Sequence, residues 1–264
     1  MLFFFDVETT GLPKRRNASY SEVDVWPRIV SISWALHKPD QSLVAHKYSV
    51  IRPDGFSIPA DSTRVHGITT AYAKQHGRAV ADALLELNSD LEHHRPSLVI
   101  AHNIAFDRNV LLAEALRAKC STPIADVPTY CTMQTTTDLC RLPGYGGRYK
   151  WPTLAELHHH LFSEGFGEAH NAAADVLACA RCYFALPRAS SSDRRVPANA
   201  LNDDIDDNVD PHELIGRILL WAEDHPSFDT SFVESIQEKL AQFGRLTPRQ
   251  IAALENIVIR WQID

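Results

Sequence analysis

The most constraining stretch of the chain is its start, LFFFDVET at residues 2–9. Four apolar residues suit a buried strand, yet they run straight into Asp6, and Glu8 follows two positions later. A strand turns successive side chains to opposite faces, so residues two apart point the same way. Asp6 and Glu8 therefore project side by side from the end of a core strand. Two ionised carboxylates about 4 Å apart repel by roughly 4 kcal/mol at an effective dielectric near 20. A chain keeps such a pair against its core when something positive sits between them.

The bulk numbers limit what that can be. With 264 residues, 45% hydrophobic and 22% charged, the chain reads as an ordinary soluble globular protein, one moderate domain plus a small appendix. A formal net charge of -7 argues against a protein that coats long stretches of nucleic acid. It leaves room for an enzyme that grips a few nucleotides in one cleft. The five cysteines are Cys120, Cys131, Cys140, Cys179 and Cys182. Their odd number, with no secretory signal, predicts reduced thiols and a cytoplasmic location. Cys179 and Cys182 have zinc-like spacing, but no second pair matches them, and half a tetrahedral site is not a site. LFFF is too short for a signal-peptide core and ends in an acid. No apolar run approaches the length of a membrane span, so no membrane partner is expected.

The pattern along the chain predicts strands at 2–7, 28–36 and 43–51, the last two joined by HKPDQS, which gives an antiparallel meander. Helices are predicted over TTAYAKQHG (69–77) and AVADALLELNSDLEHH (79–94). SLVIAHN (97–103) is a nearly all-apolar run, typical of a strand buried on both faces. A helix follows from Ile104 to Lys119, then a short strand in PTYCTM (128–133), then helices over 151–162 and 171–186. Strands first, then alternating strand and helix, predict a mixed α/β sheet with helices on its faces. Residues 187–211 are polar, hold three prolines if Pro187 and Pro211 are counted, and read as a linker. Residues 212–264 read as a small helical module, with Gly244 stopping one helix and a Thr247/Gln250 capping box starting the next.

Three later features bear on the acids. AHNIAFD places Asp107 just after a buried strand, at the start of a helix. HNAAAD places His170 and Asp175 at the front of the last helix of the main domain, and its alanines let that helix lie close to a sheet. Four carboxylates gathered at one point need cations, and hard oxygen ligands suit magnesium or manganese rather than zinc. Of the basic residues, Lys14, Arg15, Arg16, Arg148 and Lys150 lie in irregular segments suited to phosphate contacts. The loop 11–27 is long for a strand connection, and His158–His160 read as a mostly solvated run.

The order D-x-E, then Asp, then H-x4-D resembles the DEDDh branch of the DEDD exonucleases, over roughly residues 1–186. VHGIT at 65–69 is similar to a motif of the bacterial proofreading subunits in that family. Asn171 stands where the sibling branch carries tyrosine. The resemblance implies an RNase H-like fold, a five-stranded mixed sheet flanked by helices, with the C-terminal helical module appended. It implies a 3′–5′ exonuclease that uses two Mg2+ or Mn2+ ions about 3.5–4 Å apart at the scissile phosphate. On that likeness Asp6 bridges both ions, Glu8 and Asp175 hold one, Asp107 holds the other partly through water, and His170 is the general base. Thr9, Thr10, Gly11, His66, His102, Asn103 and Phe106 are the residues expected to meet substrate, with Phe106 a stacking candidate. The expected partner is a nucleic acid 3′ end, single-stranded DNA favoured, and the C-terminal helices offer a surface for a protein partner. An RNA-trimming exoribonuclease and a non-catalytic nucleic-acid-binding adaptor stay open as alternatives.

Overall fold

The computed structural model describes residues 1–15, 18–144, 148–167 and 171–187, and in the C-terminal part 211–223, 225, 228, 230–243, 246, 251, 254 and 257–258. Five strands form one sheet: β1 (Leu2–Thr9), β2 (Ile29–His37), β3 (Leu43–Val50), β4 (Leu98–Ala101) and β5 (Thr129–Cys131), in the order β3-β2-β1-β4-β5. β1 is antiparallel to β2, and β2 to β3, while β1–β4 and β4–β5 are parallel. The expected five-stranded mixed sheet of RNase H-like type is therefore present.

The helices of the main body are α1 (Ala60–His66), α2 (Thr70–His76), α3 (Val80–His94), α4 (Ile104–Arg117), α5 (Thr132–Thr135), α6 (Thr137–Cys140), α7 (Leu154–Phe162) and α8 (Ala172–Ala185). The alternation along β1 assigns the two faces of the sheet. Phe3, Phe5 and Val7 pack with Ile32, Trp34 and Leu36 of β2 against Leu84 and Leu87 of α3 and Val110 and Leu111 of α4. Phe4 points the other way, joining Ala35, Ile100 and Tyr130 against Val176, Cys179, Ala180 and Tyr183 of α8. Each fully buried side chain of this kind contributes roughly 1.5–3 kcal/mol, so the triple phenylalanine fastens β1 to both layers. Asp6 and Glu8 continue the row begun by Phe4. The strand thus delivers them to the face that α8 covers.

Two details differ from the sequence reading, and the cysteines agree with it. The short helices α1, α5 and α6 were not anticipated by the periodicity. His158 is not solvated: it is buried, with Nδ1 3.0 Å from the Glu164 carbonyl and Nε2 3.1 Å from an Arg181 guanidinium nitrogen. Arginine only donates, so Nε2 accepts and Nδ1–H donates to the carbonyl. Cys131, Cys140, Cys179 and Cys182 are buried free thiols, and Cys120 is partly exposed.

The chain divides into two compact units, residues 1–142 with 151–201, and residues 143–150 with 202–264. In the second unit α9 (Pro211–Glu223) and α10 (Ser231–Phe243) share a core of Leu214, Ile215, Ile218, Val233, Ile236 and Leu240. Most of the linker expected at 187–211 lies outside the described residues, as do Gly244 and the Thr247/Gln250 box. No described helix is long and apolar enough to cross a membrane.

Candidate metal centre and active site

β1 outruns its parallel neighbour. The β1–β4 register covers Leu2↔Leu98, Phe3↔Val99 and Phe4↔Ile100, so β1 continues beyond the pairing with β4. From Asp6 onward that edge meets the first turns of helices instead of a strand. Asp175 sits in the first turn of α8, whose N-terminus is capped by the Asn171 side chain accepting from the Ala173 N–H at 3.1 Å. One carboxylate oxygen each from Asp6, Glu8 and Asp175 lie within 4.8 Å of one another. All three residues are partly accessible.

Asp107 arrives from the other layer. It is buried in the first turn of α4, and its Oδ1 accepts the Val7 backbone N–H at 3.1 Å. A buried N–H left without an acceptor costs roughly 1–3 kcal/mol. Asp107 thus completes the strand edge that β4 leaves open, and this same bond holds a fourth carboxylate close enough to interact with the charges of the group, outside the 4.8 Å set of three.

The electrostatics are those of an anion cluster. Burial, then Asp107, Asp175 and Glu8, push the Asp6 carboxyl well above its ordinary range. Burial and then Asp175 push Glu8 up from 4.5 to about 7. Burial likewise raises Asp107 well above its ordinary range, with Glu8 and Asp175 adding to it and the Val7 N–H opposing it. Among the described residues, the charges acting on these three groups are carboxylates. At 4.8 Å each ionised pair repels by roughly 3–4 kcal/mol at an effective dielectric near 20. The donors are hard oxygens, and their spacing matches atoms sharing one ion at 2.0–2.6 Å each, as roughly expected of Mg2+, Mn2+ or Ca2+. A divalent cation fits this set.

The other residues singled out by sequence fall into three groups. His170, the expected general base, lies outside the described residues, as does Arg16. Thr9, Thr10 and Gly11 form the turn that leaves β1. The Thr9 hydroxyl donates to the Gly11 carbonyl at 2.6 Å, and Thr10 Oγ1 accepts from the Arg28 N–H at 3.0 Å. Gly11 has φ +140°, a conformation that favours glycine. Among the basic residues, Arg15 pairs with Glu22, while Arg148 and Lys150 belong to the segment grouped with the second unit.

The last group is held by the protein itself. His66 Nδ1 accepts from the Ile68 N–H at 3.1 Å, and burial lowers its pKa against an opposing effect of the Thr9 backbone. His102 has both ring nitrogens engaged: Nε2–H donates to the Pro152 carbonyl at 2.9 Å, and Nδ1 accepts from the Thr132 hydroxyl at 3.0 Å. Burial pushes its imidazole down to about 4. His102 therefore ties the end of β4 to the starts of α5 and α7. Asn103 takes φ +73° at the start of α4, a left-handed position that asparagine tolerates. Phe106 is partly buried against the core, its ring 6.5 Å from that of Trp26.

Two features were missed by sequence reasoning. Glu114, buried on α4, pairs with Arg28 at 2.7 Å and Arg117 at 3.1 Å, and accepts the Ile29 N–H at 3.1 Å. It anchors the start of β2, at Arg28 and Ile29, to the helix that carries Asp107. A pocket of about 250 Å³ beside Glu8 is lined by Tyr48 and Tyr72, which no motif marks.

Comparisons with known proteins follow this geometry. A family model described as exonuclease, RNase_T, matches residues 3–183. No curated protein sequence matches the chain. Among solved structures, Escherichia coli exonuclease I in complex with a dA16 oligonucleotide is similar at TM-score 0.53 and 16% identity, over 70% of this chain and 40% of that one. A further exonuclease I structure gives TM-score 0.55 at 16% identity over the same shares. A full-length 3′-exonuclease gives TM-score 0.52 at 11% identity, over 69% of this chain and 59% of that one. The chain thus spans less than two thirds of the length of these relatives, and at such identities the likeness is one of fold.

Proposed function

The chain belongs to the exonuclease family, and from that premise we propose that it is a metal-dependent 3′–5′ exonuclease releasing nucleoside monophosphates from single-stranded or frayed DNA. The observation that carries the reading is the meeting of Asp6, Glu8 and Asp175 within 4.8 Å, with Asp107 raised by burial and then by Glu8 and Asp175. Residues 1–186 form the catalytic body in this reading, and residues 212–264 form an appended helical module. The likeness of VHGIT and the H-x4-D motif to proofreading subunits favours DNA. So does the exonuclease I relative solved in complex with a dA16 oligonucleotide.

In this reading Asp6, Glu8 and Asp175 would hold a divalent ion, and Asp107 would serve a second one together with Asp6. When bound, Mg2+ or Mn2+ neutralises the acids, lowers the pKa of water and stabilises the charge that develops on phosphate oxygens. The protein's own share is positional. Phe4 and the α8 core fix the row that Asp6 and Glu8 extend, and the Val7 N–H holds one oxygen of Asp107, leaving the other for a ligand. His170 takes the proton of the attacking water, a task suited to an imidazole with an ordinary pKa near 6.5.

The test is digestion of 5′-labelled single-stranded DNA, RNA and duplex DNA side by side with Mg2+ and with Mn2+. The expected product is a ladder shortening from the 3′ end, fastest on single-stranded DNA. His170→Ala should slow it roughly 10²–10⁴-fold while retaining metal binding. Early release of the 5′ label as a mononucleotide, or internal cutting, contradicts the proposal, and faster loss of RNA reassigns the substrate.

A further inference from the structure

The pocket beside the acids has Glu8 in its wall, and the rest comes from Ser31 of β2, Tyr48 of β3, His66, Gly67 and Ile68 at the turn between α1 and α2, Tyr72 of α2, and Asn171 at the start of α8. Sheet register fixes where Tyr48 stands. It pairs with Ser33, and Ser33 pairs with Asp6. Tyr48 is therefore on the same sheet face as Asp6, two strand spacings or about 10 Å along the sheet. Its hydroxyl lies beside Ser31, with Glu8 and Tyr72 as its charged and titratable neighbours. Ser31 is wholly buried, so Tyr48 is the accessible floor.

The opposite wall is equally fixed. Gly67 takes φ +77°, which turns the chain from α1 toward α2. Ile68 follows and is buried with Val30, Val50 and Ala73. Tyr72 rests on His76, with 4.6 Å between ring centres. Both tyrosines keep much of their surface open, 42% for Tyr48 and 49% for Tyr72. Half-open aromatic rings on two walls of one pocket offer π faces, and a nucleobase stacked on such a ring gains roughly 1–3 kcal/mol. The volume of about 250 Å³ falls just under the roughly 300–1,000 Å³ of pockets for drug-sized ligands. It has room for one nucleotide unit.

We propose that Tyr48 and Tyr72 are specificity-determining residues that hold the base of the terminal nucleotide, with its sugar and phosphate turned toward Glu8. This rests on the nuclease reading. The stacked rings tolerate any base, because every base has a π face. The discrimination they supply is between a nucleotide that has a base and one that lacks it.

The test uses the full chain and two 5′-labelled oligonucleotides of one sequence, ending in a normal or in an abasic nucleotide. Release of the first nucleotide is followed, together with binding by fluorescence anisotropy in Ca2+. The parent is expected to favour the normal end by roughly tenfold or more in kcat/KM, with the difference in KM. Tyr48→Ala/Tyr72→Ala is expected to lose that preference, whereas Tyr48→Phe, which retains the ring, keeps it. Circular dichroism establishes that the variants fold. An unchanged preference in the double variant, or a parent indifferent to the base in both rate and binding, overturns the proposal. A parent that cleaves neither end but binds the normal end more tightly overturns the nuclease reading and upholds the pocket's ligand.

Discussion

The Val7 backbone N–H and the Asp107 carboxylate are joined at 3.1 Å, across a separation of one hundred residues. This bond makes Asp107 both a part of the sheet and a member of the acid cluster. Asparagine retains an acceptor for Val7 and removes the charge, while alanine removes both. Asp107→Asn is therefore expected to exceed Asp107→Ala in stability by about 1–3 kcal/mol in urea denaturation of metal-free protein. Both variants should lose at least a hundredfold in nuclease rate. Equal stability of the two would show that the Val7 bond contributes nothing.

Glu8 sets a pH dependence of the metal-free protein. Its carboxyl is raised from 4.5 to about 7 by burial and Asp175, so between these values the folded state binds a proton that the unfolded state releases. Stability therefore falls as pH rises from about 4.5 to 7 and levels off above. Thermal melts of parent and Glu8→Gln in EDTA across about pH 5–8 should show the parent losing stability relative to the variant as pH rises. Added Mn2+ should raise the melting temperature more at the alkaline end, because metal must displace that proton.

His102 gives the opposite slope. Its imidazole is pushed down to about 4, below its ordinary range, so the unfolded state takes up the proton first. Stability from this residue is full above the ordinary histidine range and is lost as pH falls through it toward 4. His102→Phe strands the Pro152 carbonyl, while the Thr132 hydroxyl keeps the Ala101 carbonyl at 3.3 Å, and the change is expected to cost about 1–3 kcal/mol near neutral pH. The acid-side loss of stability should shrink with it, as read by melts of parent and variant at matched pH.

Glu114 repeats on α4 what Asp107 does one heptad earlier. Seven residues on, its side chain returns to the same helix face, and it accepts from Ile29 where Asp107 accepts from Val7. Ile29 pairs with Thr9, just past the register shift that follows Glu8. Glu114→Ala leaves the Arg28 guanidinium and the Ile29 N–H without this acceptor, while Arg117 keeps the Val23, Trp26 and Pro27 carbonyls, an expected loss of roughly 3–5 kcal/mol by urea denaturation. A loss under 1 kcal/mol (about the worth of a surface pair) would remove the anchor from the account.

The sheet was legible because its strands carry their own periodicity. The run LFFFDVE alternates between two cores and then places both acids on one face, which needs no tertiary information. The short helices escaped, since four to seven residues hold too little of a 3.6-residue period to read. His158 was legible in principle: it lies four residues after Leu154 and three before Leu161, both on the buried side of α7. The triple histidine masked that spacing. Tyr48 was not legible, because its place beside the acids depends on two strand registers that no local pattern encodes.

The central claim is that four acids meet because divalent ions neutralise them. Calorimetric titration of Mn2+ into the metal-free chain and into Asp6→Asn tests it without any substrate. The account predicts saturable binding to the parent, proton release that grows as pH falls toward 7, and loss of that binding in Asp6→Asn. A parent that takes up no Mn2+ at millimolar concentration, or an Asp6→Asn variant that binds it as tightly, contradicts the account.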